Sequence, residues 1–465
     1  MQAVTDIFVD IFTKPAVIVA LIALIGLAVQ GKSFSDVLKG TIRTLVGFLV
    51  LAAGAGVVVD ALNPFGEMFQ HAFNVQGVVP NNEVIVAQVL LDYGSSAALI
   101  FFFGMVVNIA LAATTRFKYI YLSGHVAFYI AAMFAVILGV AGFAPWAVVL
   151  LGSIAQGIYM VVSPALVQPF MRRVTGTDDV ALGHTGGAGI ALSGLVGHLV
   201  RGKGTSKSTE EMNFPKGLGF LRDTTVIVAL SMAVIYVIVG LFAGASYIES
   251  ELSKGDNFIV YLVILAATFS AGVFVILAGV RVVLAEIVPA FKGISEKLVK
   301  DAKPSLDVPI VFTFAPNAVL IGFLSSFVGG IVSMSVMVAL GTSVIVPGIV
   351  AHFMTGAASG VIGNATGGRR GAVLGSFANG VAISFLPLFL LPVLGNVGLA
   401  NSTFADADYG VFGLILGGLS EAGGQITIIV GLIVSLVGLY AVSFFLRARD
   451  KRRSAAASAP AVIQA

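Results

Sequence analysis

The sequence predicts an all-α protein that crosses a membrane many times, and two observations support that reading. Hydrophobic residues make up 58% of the 465 and charged residues only 11%, where a soluble domain carries about 25% charge; the mean hydropathy is +1.03. The few charges are also spaced so that long uncharged runs lie between them, several of which reach the roughly 20 residues a helix needs to cross hydrocarbon.

Taken in order, Lys14 to Lys32 brackets a slightly short first span, and Arg43 to Asp60 a second that needs its flanking side chains to snorkel. Asp92 to Arg116 brackets a third. Lys118 to Arg172 is uncharged for long enough to hold two helices, turning at "GFAP" (142–145). Asp223 to Glu249 and Asp256 to Arg281 hold one each. Asp307 to Arg369 is about a span longer than two simple helices. Arg370 to Asp406 holds one more and Glu421 to Arg447 the last. The expectation is about eleven transmembrane helices, some re-entrant or broken, over residues 1–450 as one polytopic unit. Residues 451–465, basic and then Ala-rich, read as a disordered tail.

Basic clusters set the orientation. Lys32/Lys39/Arg43, Arg116/Lys118, Arg172/Arg173, the 201–222 and 292–303 stretches, Arg369/Arg370 and 447–453 all fall on one side if the N-terminus is outside. That side is the cytoplasm, so the C-terminus is expected inside. The remaining loops, near 60–92, 247–257 and 395–409, are acidic or neutral. The N-terminus lacks the basic region and cleavage site of a signal peptide, so the first apolar run is expected to remain as a span. The net charge of +3 is too small to suggest nucleic-acid binding. There is no cysteine, hence no disulfide, Cys metal site or Cys nucleophile.

A weak internal repeat is visible. "RTLVGFLVLAAGAGVVVDALNP" (43–64) resembles "RVVLAEIVPAFKGISEKLVKDAKP" (281–304), and "SSAALIFFFG" (95–104) resembles "PNAVLIGFLS" (316–325). Two elements in the same order suggest inverted repeats, whose substrate sites lie near the midplane between broken helices. The Gly- and Pro-interrupted stretches are the candidates: "AAGAG" (52–56), "SGHVAFY" (123–129), "ALGHTGGAGIALSG" (181–194), "FAPNAV" (314–319) and 346–368. Ionisable groups in or near them are few: His125, His184, Glu286, Asp307 and His352. A lone buried histidine in a soluble protein is more often a satisfied structural group. In a bilayer the desolvation cost of a few kcal/mol reverses that preference. Neutral imidazole offers one donor and one acceptor, and a carboxylate accepts two donors, a set suited to sugar hydroxyls. Glycine patterns such as "GAASG" (356–360) read as tight helix packing. No nucleotide loop, metal-ligand spacing or catalytic triad is present, so no metal or cofactor is expected.

The segments 39–56, "LSGHVAF" (122–128), "GH" (183–184), 279–295, "FAPNAV" and "VPG…GGRR" (346–370) together resemble the ascorbate-type enzyme IIC of the phosphoenolpyruvate-dependent sugar phosphotransferase system. The resemblance covers nearly the whole chain. It implies a homodimer in a bacterial cytoplasmic membrane, with interleaved dimerisation and substrate-binding core domains built from inverted five-helix repeats plus a last helix. It also implies import of a hydroxylated sugar or sugar acid, L-ascorbate foremost. Phosphoryl transfer would be performed by a separate IIB protein fed by IIA, so this chain would carry no catalytic residue. The family's sugar-contacting positions match Gly54, His125, His184, Asp307 and Gly348. At other positions the chain departs: Tyr129 and Thr185 stand where the family has glutamine, and Asn82-Glu83 where it has Thr-Tyr. The basic stretch "FKGISEKLVKDAK" (291–303) is a candidate IIB surface, or simply a solvated loop. Two other readings stay open: an ion-coupled secondary transporter of a polar solute, and a non-transporting anchor or sensor.

Overall fold

The apolar runs become helices, and the Gly-, Pro- and polar-rich joints between them become short strands. This computed structural model describes residues 15–74, 77–202, 206–212, 224–399 and 402–457. The first half runs α1 Pro15–Val29, α2 Phe34–Phe73, β1 Gly77–Pro80, α3 Asn82–Thr114, β2 Tyr119–Tyr121, α4 Gly124–Val140, α5 Pro145–Thr175, β3 Ala181–Leu182 and α6 Gly187–Val200. The second runs α7 Thr224–Ala243, α8 Phe258–Leu298, β4 Lys303–Leu306, α9 Pro309–Phe312, α10 Pro316–Leu340, β5 Val344–Ile345, α11 Ile349–Leu390, β6 Ser402–Thr403 and α12 Ala407–Ala457.

Among the described residues six helices are long and apolar enough to cross a membrane. A bent pair, Val228–Ala243 with Ala245–Leu252, adds a seventh if counted as one span. The sequence count is higher partly because charge gaps do not coincide with helix ends. Two of the longest helices, α11 and α12, are each interrupted by a glycine. Gly368 has φ 61° and ψ −148°, and Gly424 has φ 65° and ψ −142°. These are backbone conformations open essentially to glycine alone. The last helix extends to Ala457, so the first residues of the expected tail continue it. The side chains of Glu286 and of residues 291–297 lie outside what the structure describes, as do residues 213–223.

The strands disclose the architecture. All six are parallel and form two three-stranded sheets, ordered β5-β1-β6 and β2-β4-β3. Gly77 and Val78 pair with Val344 and Ile345, and Val79 and Pro80 with Ser402 and Thr403. In the other sheet Tyr119 to Tyr121 pair with Lys303 to Ser305, and Ala181 and Leu182 with Ser305 and Leu306. Each half of the chain supplies one central strand and two outer ones, and each central strand pairs only with the outer strands of the other half. The order strand–helix–strand–helix–helix–strand–helix therefore occurs twice, once α11 is divided at Gly368 and the four-residue α9 is taken with α10. Of the two segment pairs that the sequence suggested as a repeat, 95–104 and 316–325 fall on equivalent helices, α3 and α10, whereas 43–64 and 281–304 do not align. Arg43 lies in the first half of α2 and Arg281 in the second half of α8, so the two arginines are not equivalent. The pairing gives partners to strand N–H and C=O groups along the shared edges, which unsatisfied in hydrocarbon cost several kcal/mol each.

Helices pack in two groups. α1, α2, α7 and α8 contact one another, while α6, α10 and α11 form a second cluster, with α3 to α5 and α12 around it. Small residues set the close approaches. A Cβ added to Gly322 on α10 would strike the Gly356 carbonyl of α11, and one at Gly360 the Ala318 carbonyl. "GAASG" is thus a packing surface, as expected.

Candidate functional site

The loop after each strand decides where its side chains go, and all six strand ends open toward one small chamber. Its lining comprises Asn82, Glu83, His125, Val126, Tyr129, His184, Thr185, Asp307, Val350, Ala351, Met354 and Asp406. Asn82 and Glu83 follow β1 in the first turn of α3, which Asn81 caps through Oδ1 on the Val84 N–H at 3.0 Å. His125 follows β2 in the first turn of α4, and Tyr129 lies one turn on. His184 and Thr185 follow β3, Asp307 follows β4, Val350 and Ala351 follow β5, and Asp406 follows β6. The chamber is narrow, about 50 Å³.

Asp307 stands between the two histidines. Its Oδ2 is 3.4 Å from His125 Nε2 and its Oδ1 3.9 Å from His184 Nε2. Both distances exceed an ordinary hydrogen bond of about 2.9 Å. A ligand hydroxyl is therefore not shut out by a closed ion pair. The His184 tautomer follows from its neighbour. Its Nδ1 accepts the Gly186 N–H at 2.9 Å, so in the neutral ring the proton sits on Nε2, the nitrogen that faces Asp307. Asp307 is itself oriented by the Val308 N–H, which donates to Oδ1 at 2.7 Å.

Elsewhere in the lining Asp406 Oδ2 accepts from Thr185 Oγ1 at 2.6 Å and Asn82 Nδ2 at 2.8 Å. Asn82 Oδ1 accepts the Ala405 N–H at 2.8 Å, which closes the ring of contacts. Three polar atoms in the lining are buried with no partner among the described residues: Glu83 Oε2, Tyr129 Oη and Asp406 Oδ1. Buried polar atoms are paired in the great majority of cases, so three orphans in one chamber mark the place where a ligand would supply partners.

With that geometry established, likeness to known proteins becomes informative. The sequence matches the EIIC-GAT family, the sugar-specific permease component of the PTS (phosphotransferase) system, over residues 10–408. The chain belongs to that family. A curated relative in Mycoplasma pneumoniae, the ascorbate-specific PTS system EIIC component, is 26% identical over 425 residues. The match covers 80% of this chain and 64% of the relative, so the chain spans less than two thirds of that relative's length.

For this EIIC chain, every polar side chain that sequence reasoning selected for sugar contact lies in the chamber wall; the two glycines do not. Gly54 packs against α8, where an added Cβ would come within 2.7 Å of Ile276 N and 3.0 Å of Gly272 O. Gly348 caps α11 and lies against the Pro80 carbonyl at the end of β1. Small size at both positions serves close packing in this structure. His352 is also elsewhere: it is buried between α10 and α11, with Nδ1 2.9 Å from Ser326 Oγ.

The residue that sequence reasoning missed is Asp406. It was absorbed into an acidic loop, yet the repeat could have found it. β3 is followed by Gly183, His184 and Thr185, and β6 by Phe404, Ala405 and Asp406, so Thr185 and Asp406 are equivalent positions facing each other. Asp408 two residues on is structural. Its carboxylate accepts from Ala188 N at 2.6 Å, Ser163 Oγ at 2.7 Å and Tyr159 Oη at 3.1 Å, and so ties α5 and α12 to the start of α6.

Proposed function

We propose that this chain is the translocating IIC subunit of a sugar phosphotransferase system and that the chamber between the six strand ends is its sugar site. The observation that supports this most directly is the convergence of His125, His184 and Asp307 from three separate strand ends, facing Thr185, Asn82, Glu83 and Asp406. Donors and acceptors gathered in one small chamber suit a small molecule rich in hydroxyls. In this reading the sugar or sugar acid enters from outside, is handed across as one helix group moves against the other, and is phosphorylated on the inner side by a IIB protein. L-ascorbate stays among the candidates, because the resemblance implies it and the Mycoplasma pneumoniae relative bears its name. Eleven spans, an outward N-terminus, a bacterial cytoplasmic membrane and a homodimer with interleaved domains belong to the same proposal.

Uptake into membrane vesicles tests it. The expected result is accumulation of sugar phosphate that requires phosphoenolpyruvate and the soluble phosphotransferase proteins. Accumulation of unmodified solute that collapses only with a proton uncoupler would replace this reading with an ion-coupled transporter.

A further inference from the structure

Resting on the chamber as the sugar site, we infer that Met354 is a gate, and that the larger cavity beyond it is the passage through which the sugar leaves toward the inner face. That cavity, about 410 Å³, has Pro309, Phe312, Thr313, Pro316, Phe353 and Met354 in its lining. Its volume lies within the roughly 300–1,000 Å³ of small-molecule sites. The chamber, at about 50 Å³, has room for about one or two waters, whose share of liquid volume is about 30 Å³ each. A sugar therefore enters or leaves only if a wall gives way.

Met354 is that wall. Among the described residues it is the one that lines both spaces. Val350 and Ala351 face the chamber from the first turn of α11, and Met354 lies four and three residues on, hence on the same helix face. Asp307 lines the chamber, and Pro309, two residues later, already lines the cavity. Both segments run from one space into the next with the Met354 side chain at the boundary. Its neighbours are stiffer. Phe353 stands edge-on to Phe312 and to Phe323, with ring centroids 6.2 and 5.6 Å away. Methionine is unbranched, with three rotatable bonds and a soft thioether, so it can change rotamer where interlocked rings cannot.

The passage has a direction. α10 and α11 pack antiparallel, Ala318 against Gly360 and Gly322 against Gly356, so the start of α10 lies beyond Met354, away from the first turn of α11. Pro309, Thr313 and Pro316 are exposed, whereas Phe353 is buried and Met354 half-buried. The mouth is therefore at the N-terminus of α10. There Glu210 accepts the N–H groups of Asn317 and Ala318, and Arg369 Nε donates to the Ser208 carbonyl. These contacts set the mouth beside the 201–222 and Arg369/Arg370 basic stretches, which the proposed orientation places inside.

The chain has no cysteine, so single cysteines can be labelled without background. The probe is a membrane-impermeant cationic methanethiosulfonate, applied to right-side-out and inside-out membrane vesicles that hold the full-length protein. Thr313→Cys should be modified from the inner face alone. Ala351→Cys, in the chamber, should be modified slowly, and Val350→Cys reads the same wall if that variant does not fold. With Met354→Ala added, the rate should rise at least about tenfold, as expected on removing a gate that is open about a tenth of the time or less. Met354→Leu, of similar size, should keep the slow rate. Ala97→Cys, buried in α3, should stay protected in Met354→Ala. An unchanged rate in Met354→Ala overturns the gate, and so does a rise at Ala97→Cys, which would mean general loosening. Modification of Thr313→Cys from the outer face alone overturns the passage. These readings need no sugar, so their failure is distinct from loss of phosphoenolpyruvate-dependent uptake, which would overturn the proposed function.

Discussion

His184 faces two ways, into the turn at Gly186 and into the chamber, and a pair of substitutions should separate the two. Its Nδ1 holds the Gly186 N–H at 2.9 Å, which shapes the turn into α6, while Nε2 carries the proton toward the chamber. His184→Ala removes both. The Gly186 N–H is then left buried without a partner, at a cost of about 1–3 kcal/mol in stability. His184→Asn is different, because asparagine Oδ1 falls where Nδ1 stood and can accept the same N–H. It lacks only the outer nitrogen. A neutral hydrogen bond contributes about 1 kcal/mol, so sugar affinity should fall roughly fivefold in His184→Asn while the melting temperature stays close to wild type. In His184→Ala both quantities should fall. The assay is differential scanning fluorimetry without ligand, paired with calorimetric titration of the best-binding sugar. Wild-type affinity in correctly folded His184→Asn would remove the ring from the ligand set. Equal losses of melting temperature in the two variants would refute the assigned tautomer and the turn argument with it.

Three further outcomes are expected. Gly54→Ala places a methyl 2.7 Å from Ile276 N in the α2–α8 contact, so it should lower thermal stability with sugar affinity unchanged in the folded fraction; loss of affinity alone would return Gly54 to the ligand set. Gly368→Ala forces a side chain into φ 61° and ψ −148° with its Cβ 2.7 Å from the Lys207 carbonyl; an expected cost of about 1–3 kcal/mol would be contradicted by an unchanged melting temperature. Asp178, in the loop after α5, is pushed up by partial burial, but hydrogen bonds from Arg172, Lys303 and Gln168 override this and hold its carboxyl below the ordinary range. Its contribution should therefore be complete above pH about 4, the usual aspartate value, and fade as the pH falls further. The melting-temperature gap between wild type and Asp178→Asn should shrink on acidification, and a constant gap would show that the ion pairs contribute nothing.

The all-α class and most of the chamber's polar lining could be read from the sequence because in a nearly uncharged chain each surviving polar group is conspicuous. His125 and His184 stood out against glycine and alanine, and Asp307 opened a long apolar run. Helix bounds were less legible, since a charge gap marks where charges are and not where a helix ends. α3 begins at Asn82, well before Asp92, and α12 runs through Glu421 to break at Gly424. The strands were invisible. Two to four residues of "GVVP", "AL" or "ST" bear no period, and only pairing with a distant segment makes them strands. Asp406 was hidden for the same reason: without β6, nothing set it apart from Asp408 as the carboxylate facing Thr185.

The exchanged strands also bear on how such a site could serve both sides of a membrane. Each central strand, β1 and β4, is held only by strands from the other half of the chain. Neither half can complete its share of the chamber alone, so Asn82 and Glu83 after β1 are positioned by β5 and β6, and Asp307 after β4 by β2 and β3. In the proposed function a chamber tied this way would move as a unit, while the helix group α1, α2, α7 and α8 packs against its surroundings and supplies no lining residue among those described. Sliding between those groups would expose the chamber to one side and then the other without dismantling it. A disulfide joining α2 to α8 should therefore leave transport intact, because both helices belong to one group. A disulfide joining α8 to α4, which the structure places in contact across the two groups, should arrest transport reversibly without loss of sugar binding. Full activity in the oxidised α8–α4 protein would refute the sliding.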